Sequence, residues 1–276
     1  MYDDVPSTYY DTGLEYPEIK DFVKSFDNVE IIRPELTFKE VIKKHGYPLL
    51  GKEIAHKIEV ARNKPEGKLA KFFDPESEQS KNYGGIYCVA RWETLKNAEW
   101  LPISGKCCNE MKKKPAHKYA KETGRKPYVA TMAAESKIRE AIWLRQGCNA
   151  FESNNPTSTP MSFWTENDVL AYIKKHNLDY ASVYGEIYIS RYDINQITGG
   201  LEPIYKTTGC DRTGCVFCGF GCHLEKEPNR FQRLKITHPK LYDYCINGGE
   251  FVNGKWQPSK EGLGMGKVLD FIGVKY

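Results

Sequence analysis

The sequence predicts an α/β fold on a parallel sheet, followed by a cysteine- and glycine-rich part. Three observations carry this. Short runs with strand character alternate with amphipathic helical stretches from the N-terminus onward, the pattern of strand–helix–strand units. The chain has 276 residues and is 40% hydrophobic, enough to bury a substantial core as one large domain or as a domain with an appended module. From Tyr184 to Cys222 the alternation stops and glycine and cysteine dominate. The expected division is therefore an α/β domain over residues 1–183 and a cysteine-rich segment with C-terminal helices over residues 184–276.

The elements follow in order. Residues 5–10 form a short β-type run that Asp11-Thr12-Gly13 ends. Residues 17–26 read as a helix with Ile19, Phe22 and Val23 on one side. Residues 28–33 read as a strand. A second helix over residues 37–45 opens with Thr37 and Glu40 in capping-box spacing. Residues 51–105 are mixed, with turns at Lys64-Pro65-Glu66-Gly67 and Asp74-Pro75-Glu76-Ser77. The next unit is a strand over residues 127–132, a helix over 135–146 and a short strand over 148–151. Residues 165–176 form a helix capped by Thr165, with Val169, Leu170, Tyr172 and Ile173 as its apolar face. Phe163 and Trp164 just before it read as core. Short helices are expected over residues 228–234 and 239–245, and a glycine-rich turn over 262–266 precedes a last helix over 267–272. No internal repeat or low-complexity tract occurs.

The balance of 40 basic and 36 acidic residues gives a net charge of +4. This mild excess does not mark a nucleic-acid binder, but it suits a phosphate-bearing substrate. Lys112-Lys113-Lys114 is the densest charge run, read either as a solvated face or as an attractor of phosphate. No apolar run approaches the roughly 18 residues that span a bilayer. Met1-Tyr2-Asp3-Asp4-Val5-Pro6 lacks the basic start and apolar run of a signal peptide. The expectation is a cytoplasmic protein. Stable disulfides are uncommon there, so nine cysteines point to metal binding or catalysis.

Cys210, Cys215, Cys218 and Cys222 fall close together around the C-x-x-C core Cys215-Val216-Phe217-Cys218. Two intervening residues let both thiolates face one centre, and Gly209, Gly214, Gly219 and Gly221 permit the tight turns this needs. Upstream, Cys107 and Cys108 are adjacent and follow Lys106. Neighbouring cysteines do not readily bond to each other, but they can bind different irons of a cubane. This favours a [4Fe–4S] cluster over zinc. A zinc knuckle on Cys210, Cys215, Cys218 and Cys222, and inert or redox thiols, stay open as alternatives. Cys88, Cys148 and Cys245 lie in apolar or mixed segments and read as small buried hydrophobes. His223 reads as structural or exposed, or as a fourth ligand to zinc.

Five segments resemble the adenosine- and phosphoadenosine-phosphosulfate reductases. Asp11-Thr12-Gly13 through Pro17-Glu18 is similar to that family's D-T-G-x-x-x-P-E segment. Lys106-Cys107-Cys108 with Lys113 and Pro115 resembles its K-C-C…K…P segment, and Glu135-Ser136-Lys137-Ile138-Arg139 its E-S-x-x-R helix start. Pro160-Met161 to Tyr172 resembles a further helix, and Thr208-Gly209-Cys210 to Cys218 its G-C-x-x-C region. Their order is kept from residue 7 to about 225. The resemblance implies a Rossmann-like fold of the pyrophosphatase-loop type, the adenine nucleotide alpha hydrolase arrangement. It also implies a [4Fe–4S] cluster on Cys107, Cys108, Cys215 and Cys218, with Cys210 and Cys222 as extras. By the same carry-over Asp11, Lys106, Glu135, Ser136 and Arg139 are expected to meet nucleotide or substrate. Asp11 is otherwise a turn residue, and Arg139 otherwise a surface ion pair.

Three departures qualify what the resemblance implies. The family's Ser-Gly-Gly-x-Asp-Ser phosphate loop does not occur, and a missing upstream segment is the favoured explanation. The nucleophilic cysteine within a terminal E-C-G-[LI]-H is also absent. Met132-Ala133-Ala134 stands where the reductases carry an arginine, which removes a bidentate anion contact. No catalytic residue is therefore assigned. The expected function is an iron–sulfur enzyme acting on an adenine nucleotide or sulfonucleotide. It works by reduction with a thioredoxin-like electron donor, or by adenylation-linked sulfur transfer to a nucleic-acid acceptor. The alternatives are a non-catalytic nucleotide- or nucleic-acid-binding module with a structural cluster, and a zinc-stapled interaction protein. No membrane partner is expected.

Overall fold

The computed structural model describes residues 5–87, 89–153, 156–195 and 199–276. The first strands and helices are β1 (Ser7–Tyr10), α1 (Pro17–Lys24), β2 (Val29–Ile32), α2 (Phe38–His45), β3 (Leu49–Leu50), α3 (Lys52–Asn63), α4 (Lys68–Lys71), α5 (Glu78–Tyr87) and α6 (Glu93–Asn97). Next come α7 (Lys114–Thr123), α8 (Lys137–Gln146), β4 (Asn149–Ala150), β5 (Thr157–Ser158), α9 (Glu166–His176), β6 (Ile187–Ile194) and β7 (Leu201–Thr207). The last are β8 (Gly219–Phe220), α10 (Arg230–Thr237), α11 (Pro239–Ile246), β9 (Glu250–Val252), β10 (Lys255–Gln257) and α12 (Met265–Phe271). The fold is mixed α/β. Among the described residues every sheet is two-stranded, including the parallel pair β3–β8, in place of one continuous parallel sheet.

The chain gathers into two compact units, both discontinuous. The first takes residues up to Tyr9, 16–31 and 116–213; the second takes 10–15, 32–115 and 214–276. Cys88 lies outside the described residues.

In the second unit, α2 shows how local sequence sets an element. Thr37 Oγ1 accepts the Glu40 N–H while Glu40 Oε2 accepts the Thr37 N–H, closing the capping box. Phe38, Val41 and Ile42 form the buried face, and Lys43, Lys44 and His45 complement the helix dipole at the other end. Gly46, at φ 106°, stops the helix where a Cβ would sit 2.5 Å from the Pro102 carbonyl carbon. The next residue, Tyr47, makes a parallel bridge to Ile103 and donates its hydroxyl to the Leu263 carbonyl. Around it Leu49, Ile58, Leu101, Met111, Phe231 and Met265 are fully buried. Each contributes roughly 1.5–3 kcal/mol relative to exposure. The mixed stretch 51–105 is largely helical, because α3 buries Ala55, Ile58 and Ala61 on one stripe.

In the first unit the largest feature is the antiparallel hairpin β6–β7, which runs from Ile187↔Thr207 to Ile194↔Leu201 with a bulge after Ile189. Asn167 of α9 accepts the Tyr205 N–H and donates to the Pro203 carbonyl, fixing the helix to the hairpin. Thr165 caps α9 with Asp168 as the sequence suggested. The strand expected over residues 127–132 does not form. Tyr128 bridges Ser158, then Thr131 N bonds the Val129 carbonyl in a tight turn that ends the extended run. Phe163 is 64% exposed rather than core, and Trp164 packs edge-on against Tyr172.

Candidate functional site

Two segments of the second unit bring cysteines together. Residues 101–106 are laid along Tyr47: Tyr47 N bonds the Pro102 carbonyl, and Ser104 N bonds the Tyr47 carbonyl. Ser104 Oγ then accepts the Lys106 N–H. Cys107 and Cys108 come next, at the entry to a π-helical turn over Asn109–Lys113 that runs into α7. Such widened turns are frequent at functional sites. The C-x-x-C segment is pinned at both ends. Val216 N bonds the Leu14 carbonyl at 2.8 Å, and Gly221 N bonds the Leu50 carbonyl at 2.7 Å. Gly219 pairs with Leu49, where a Cβ would lie 2.6 Å from the Pro48 carbonyl oxygen. Glycine alone fits there.

The thiols of these segments act on one another. Burial pushes the Cys107 thiol up, and Cys108, Cys215 and Cys218 push it further. Burial lifts Cys215 to about 11 against the opposing charge of Lys112, with Cys218, Glu15 and Cys108 adding to the rise. Burial also raises Cys218, opposed by the Phe220 N–H and by Arg230. Lys112 is itself held above the ordinary lysine range. Burial works against its charge, but Cys215, to which it hydrogen-bonds, Glu15 and Cys108 outweigh it.

Two charged groups brace this centre, and reading the sequence for cysteines did not find them. Glu15 lies 4.0 Å from Lys112. Its carboxylate is fixed by the Thr12 N–H, the Thr12 hydroxyl and the Leu14 N–H. Arg230 donates to the Cys218 carbonyl at 2.8 Å and grips Glu225 through Nε and Nη2. Lys112 was legible as part of the Lys112-Lys113-Lys114 run, and its four-residue step from Cys108 places both on one helical face. Nothing local marks Arg230, which is distant in sequence from the cysteine pair.

Cys222 is buried, which pushes its thiol up; it donates to the Gly219 carbonyl at 3.1 Å and shares the surroundings of Cys218 and Arg230, which oppose each other in shifting that thiol. Cys210 belongs to the first unit, its N–H bonded to the Val183 carbonyl. Cys245 is buried and Cys148 half-buried. Among the described residues no group of three or more His, Cys, Asp or Glu is placed to hold a metal ion. His223 packs edge-on against Trp92. Asp11 forms a turn by accepting the Gly13 N–H and pairs with Arg33 at 3.4 Å. Lys106 pairs with Glu59 at 2.5 Å. In the first unit Glu135 accepts the Met132 N–H and pairs with Arg139, while Ser136 caps α8. Arg212 also holds the Glu135 carboxyl down.

A family model, the phosphoadenosine phosphosulfate reductase domain, matches residues 53–219, more than half of the chain. The chain belongs to that family. No curated protein matches. The matched span includes the cysteine pair, the Glu135–Arg139 helix start and both cysteines of the C-x-x-C. Thr12 and Glu15 lie before it and Arg230 after it, so this member's thiol centre draws on residues outside the matched reductase domain. No helix of the described residues is long and apolar enough to cross a membrane.

Proposed function

We propose that this family member is a cytoplasmic iron–sulfur enzyme acting on an adenine nucleotide or sulfonucleotide, with Cys107, Cys108, Cys215 and Cys218 as the ligands of a [4Fe–4S] cluster. One observation carries the reading: four thiols from two distant segments share one neighbourhood, with the Lys112 ammonium among them. The donor chemistry suits the group, although among the described residues no three of these side chains are already gathered as a metal site. Thiolates are its usual ligands, and two cationic side chains stand ready to compensate their charge. When bound, the cluster would supply a compact charged centre that tunes sulfur chemistry beside it. The short parallel pairs support placing the chain with Rossmann-like sheets of the pyrophosphatase-loop type.

The chain's own residues do the rest. Burial keeps the free thiols protonated, so loading must release protons. Lys112 stays charged and offers a cation to a substrate anion. Arg230 holds the Cys218 turn by its carbonyl and keeps the loop rigid. Asp11, Lys106, Glu135, Ser136 and Arg139 remain the nucleotide candidates. Each already sits in an ion pair or cap, which a ligand phosphate would compete for or extend. The product separates two routes. Sulfite marks reduction with a thioredoxin-like donor, whereas AMP and pyrophosphate mark adenylation-linked transfer to a nucleic-acid acceptor.

The test is anaerobic purification with iron, acid-labile sulfide and zinc measured together, beside Cys215→Ser. About four irons and four sulfides, lost in the variant, support the cluster. One zinc without sulfide sinks it and turns the reading to a structural module.

A further inference from the structure

The second unit also carries a cavity of about 460 Å³, between the N-terminal turn of α3 and the turn over residues 105–110. No cysteine lines it. Its walls carry Lys52, Lys106 and Lys114 together with His45 and His56. Two carboxylates share the lining, and each is already engaged: Glu59 by Lys106 at 2.5 Å, Glu110 by Lys114 at 2.7 Å. Lys52 and His56 remain. They stand one turn apart on α3, both exposed, and neither pairs with a carboxylate among the described residues. Their helix has twelve residues, and no side chain caps its first turn, so the positive end of its dipole adds to the lysine charge. The His45 ring supplies an independent sign. Its Nε2 is buried without a hydrogen-bond partner among the described residues, and the Glu110 oxygen lies 3.7 Å away, too far for one. A buried ring nitrogen left this way is costly until something fills the space beside it.

We infer that this cavity is an oxyanion site, binding a phosphate or diphosphate group on Lys52, His56 and Lys106. The volume decides the size class. It falls within the ~300–1,000 Å³ of small-molecule pockets and exceeds what a single inorganic ion needs. A ligand dianion competes with Glu59 for Lys106, so the Glu59 carboxylate weakens binding while it is charged. The inference is independent of the cluster reading, because it uses no thiol.

The experiment is calorimetric titration of the full chain with pyrophosphate, inorganic phosphate and AMP at low and high salt. One saturable site for pyrophosphate is expected, weakened by salt. Affinity should fall at least tenfold in the Lys52→Gln, His56→Gln double variant and rise several-fold in Glu59→Gln. AMP binding tighter than phosphate assigns the site to a nucleotide; pyrophosphate binding tighter than AMP assigns it to a free diphosphate; both support it. No saturable binding, or equal affinity in the double variant, overturns it. So does binding that Cys215→Ser abolishes while the double variant retains it, since that puts the anion at the thiols. Iron and sulfide are measured on the same samples, so a failed cluster assignment leaves this titration standing.

Discussion

Arg62 offers a sharp test of how the fold positions the cysteine pair. Its guanidinium, at the end of α3, donates to four carbonyls, those of Leu95, Lys96, Ala98 and Leu101, at 2.7–2.9 Å. It thereby closes the C-terminal end of α6 and the turn that leads into residues 101–106. Burial pulls its pKa down and Glu99 opposes the fall, so the group stays charged. A hydrogen bond from a charged donor is worth ~1.5–3 kcal/mol net when buried, and a neutral one ~0.5–1.5. These carbonyls are partly reachable by water once the side chain is gone, so roughly 1 kcal/mol each is the fitting value. Arg62→Ala should therefore cost about 3–4 kcal/mol. At ~2–4 °C per kcal/mol for a large domain, that lowers Tm by roughly 6–16 °C. Arg62→Lys keeps the charge but loses the fork, and should recover less than half of the loss. Urea unfolding and thermal melts of the three proteins decide the matter. A change below ~0.5 kcal/mol in Arg62→Ala, the range of ordinary surface substitutions, would refute the reasoning.

Three further outcomes are expected. Thr37→Ala should cost ~1 kcal/mol by opening the capping box, with Thr37→Ser close to the parent, read from urea midpoints. Gly219→Ala drives a Cβ to 2.6 Å from the Pro48 oxygen and 2.9 Å from Leu49 Cδ2. It should cost about 2–3 kcal/mol in urea unfolding, and an unchanged stability would rule out the close approach as the reason for glycine here. Glu135 is held below the ordinary value of 4.5: burial raises it, but the Met132 N–H, Arg139 and Arg212 outweigh burial. A depressed folded pKa stabilises above the unfolded value, and the contribution is lost as pH falls through the folded one. Stability should therefore drop below about pH 4.5, with a shallower slope in Glu135→Gln, measured as unfolding free energy against pH.

Local chemistry was the legible part of the fold. The boxes at Thr37–Glu40 and Thr165–Asp168 depend on residues three apart, and both form as read. The segment 127–132 has strand composition, yet strand formation depends on a partner edge, and Thr131 turns away after one bridge. The hairpin over Ile187–Ile194 and Leu201–Thr207 carries the β-branched and aromatic residues of strands, but it lies in the stretch whose glycines and cysteines give no helix or strand period. In the candidate site the cysteine types and spacings were legible, and so was Cys245 as a buried hydrophobe. Which cysteines meet was not readable by physics alone, since Cys210 and Cys222 have the same local spacing cues as Cys215 and Cys218. Contacts made far along the chain sort them: Cys210 bonds to the Val183 carbonyl, while the Cys215–Cys218 turn is tied to Leu14 and Leu50.

Those long-range ties also explain why residues before the matched domain belong to the centre. Deprotonated thiolates gathered here would need fixed cations, and a lysine on a half-exposed helix face would otherwise sample many rotamers. Glu15 removes that freedom. Three hydrogen bonds from Thr12 and Leu14 hold its carboxylate before Lys112 arrives, so only one long side chain is ordered by the pairing. The same turn offers the Leu14 carbonyl to Val216, which sets the start of the C-x-x-C loop. One short segment thus fixes both the cation and the cysteine it hydrogen-bonds. The backbone of residues 12–15 holds Lys112 and the start of the C-x-x-C loop to one place, which exposed charge attraction alone, worth ~0–1 kcal/mol, would not do.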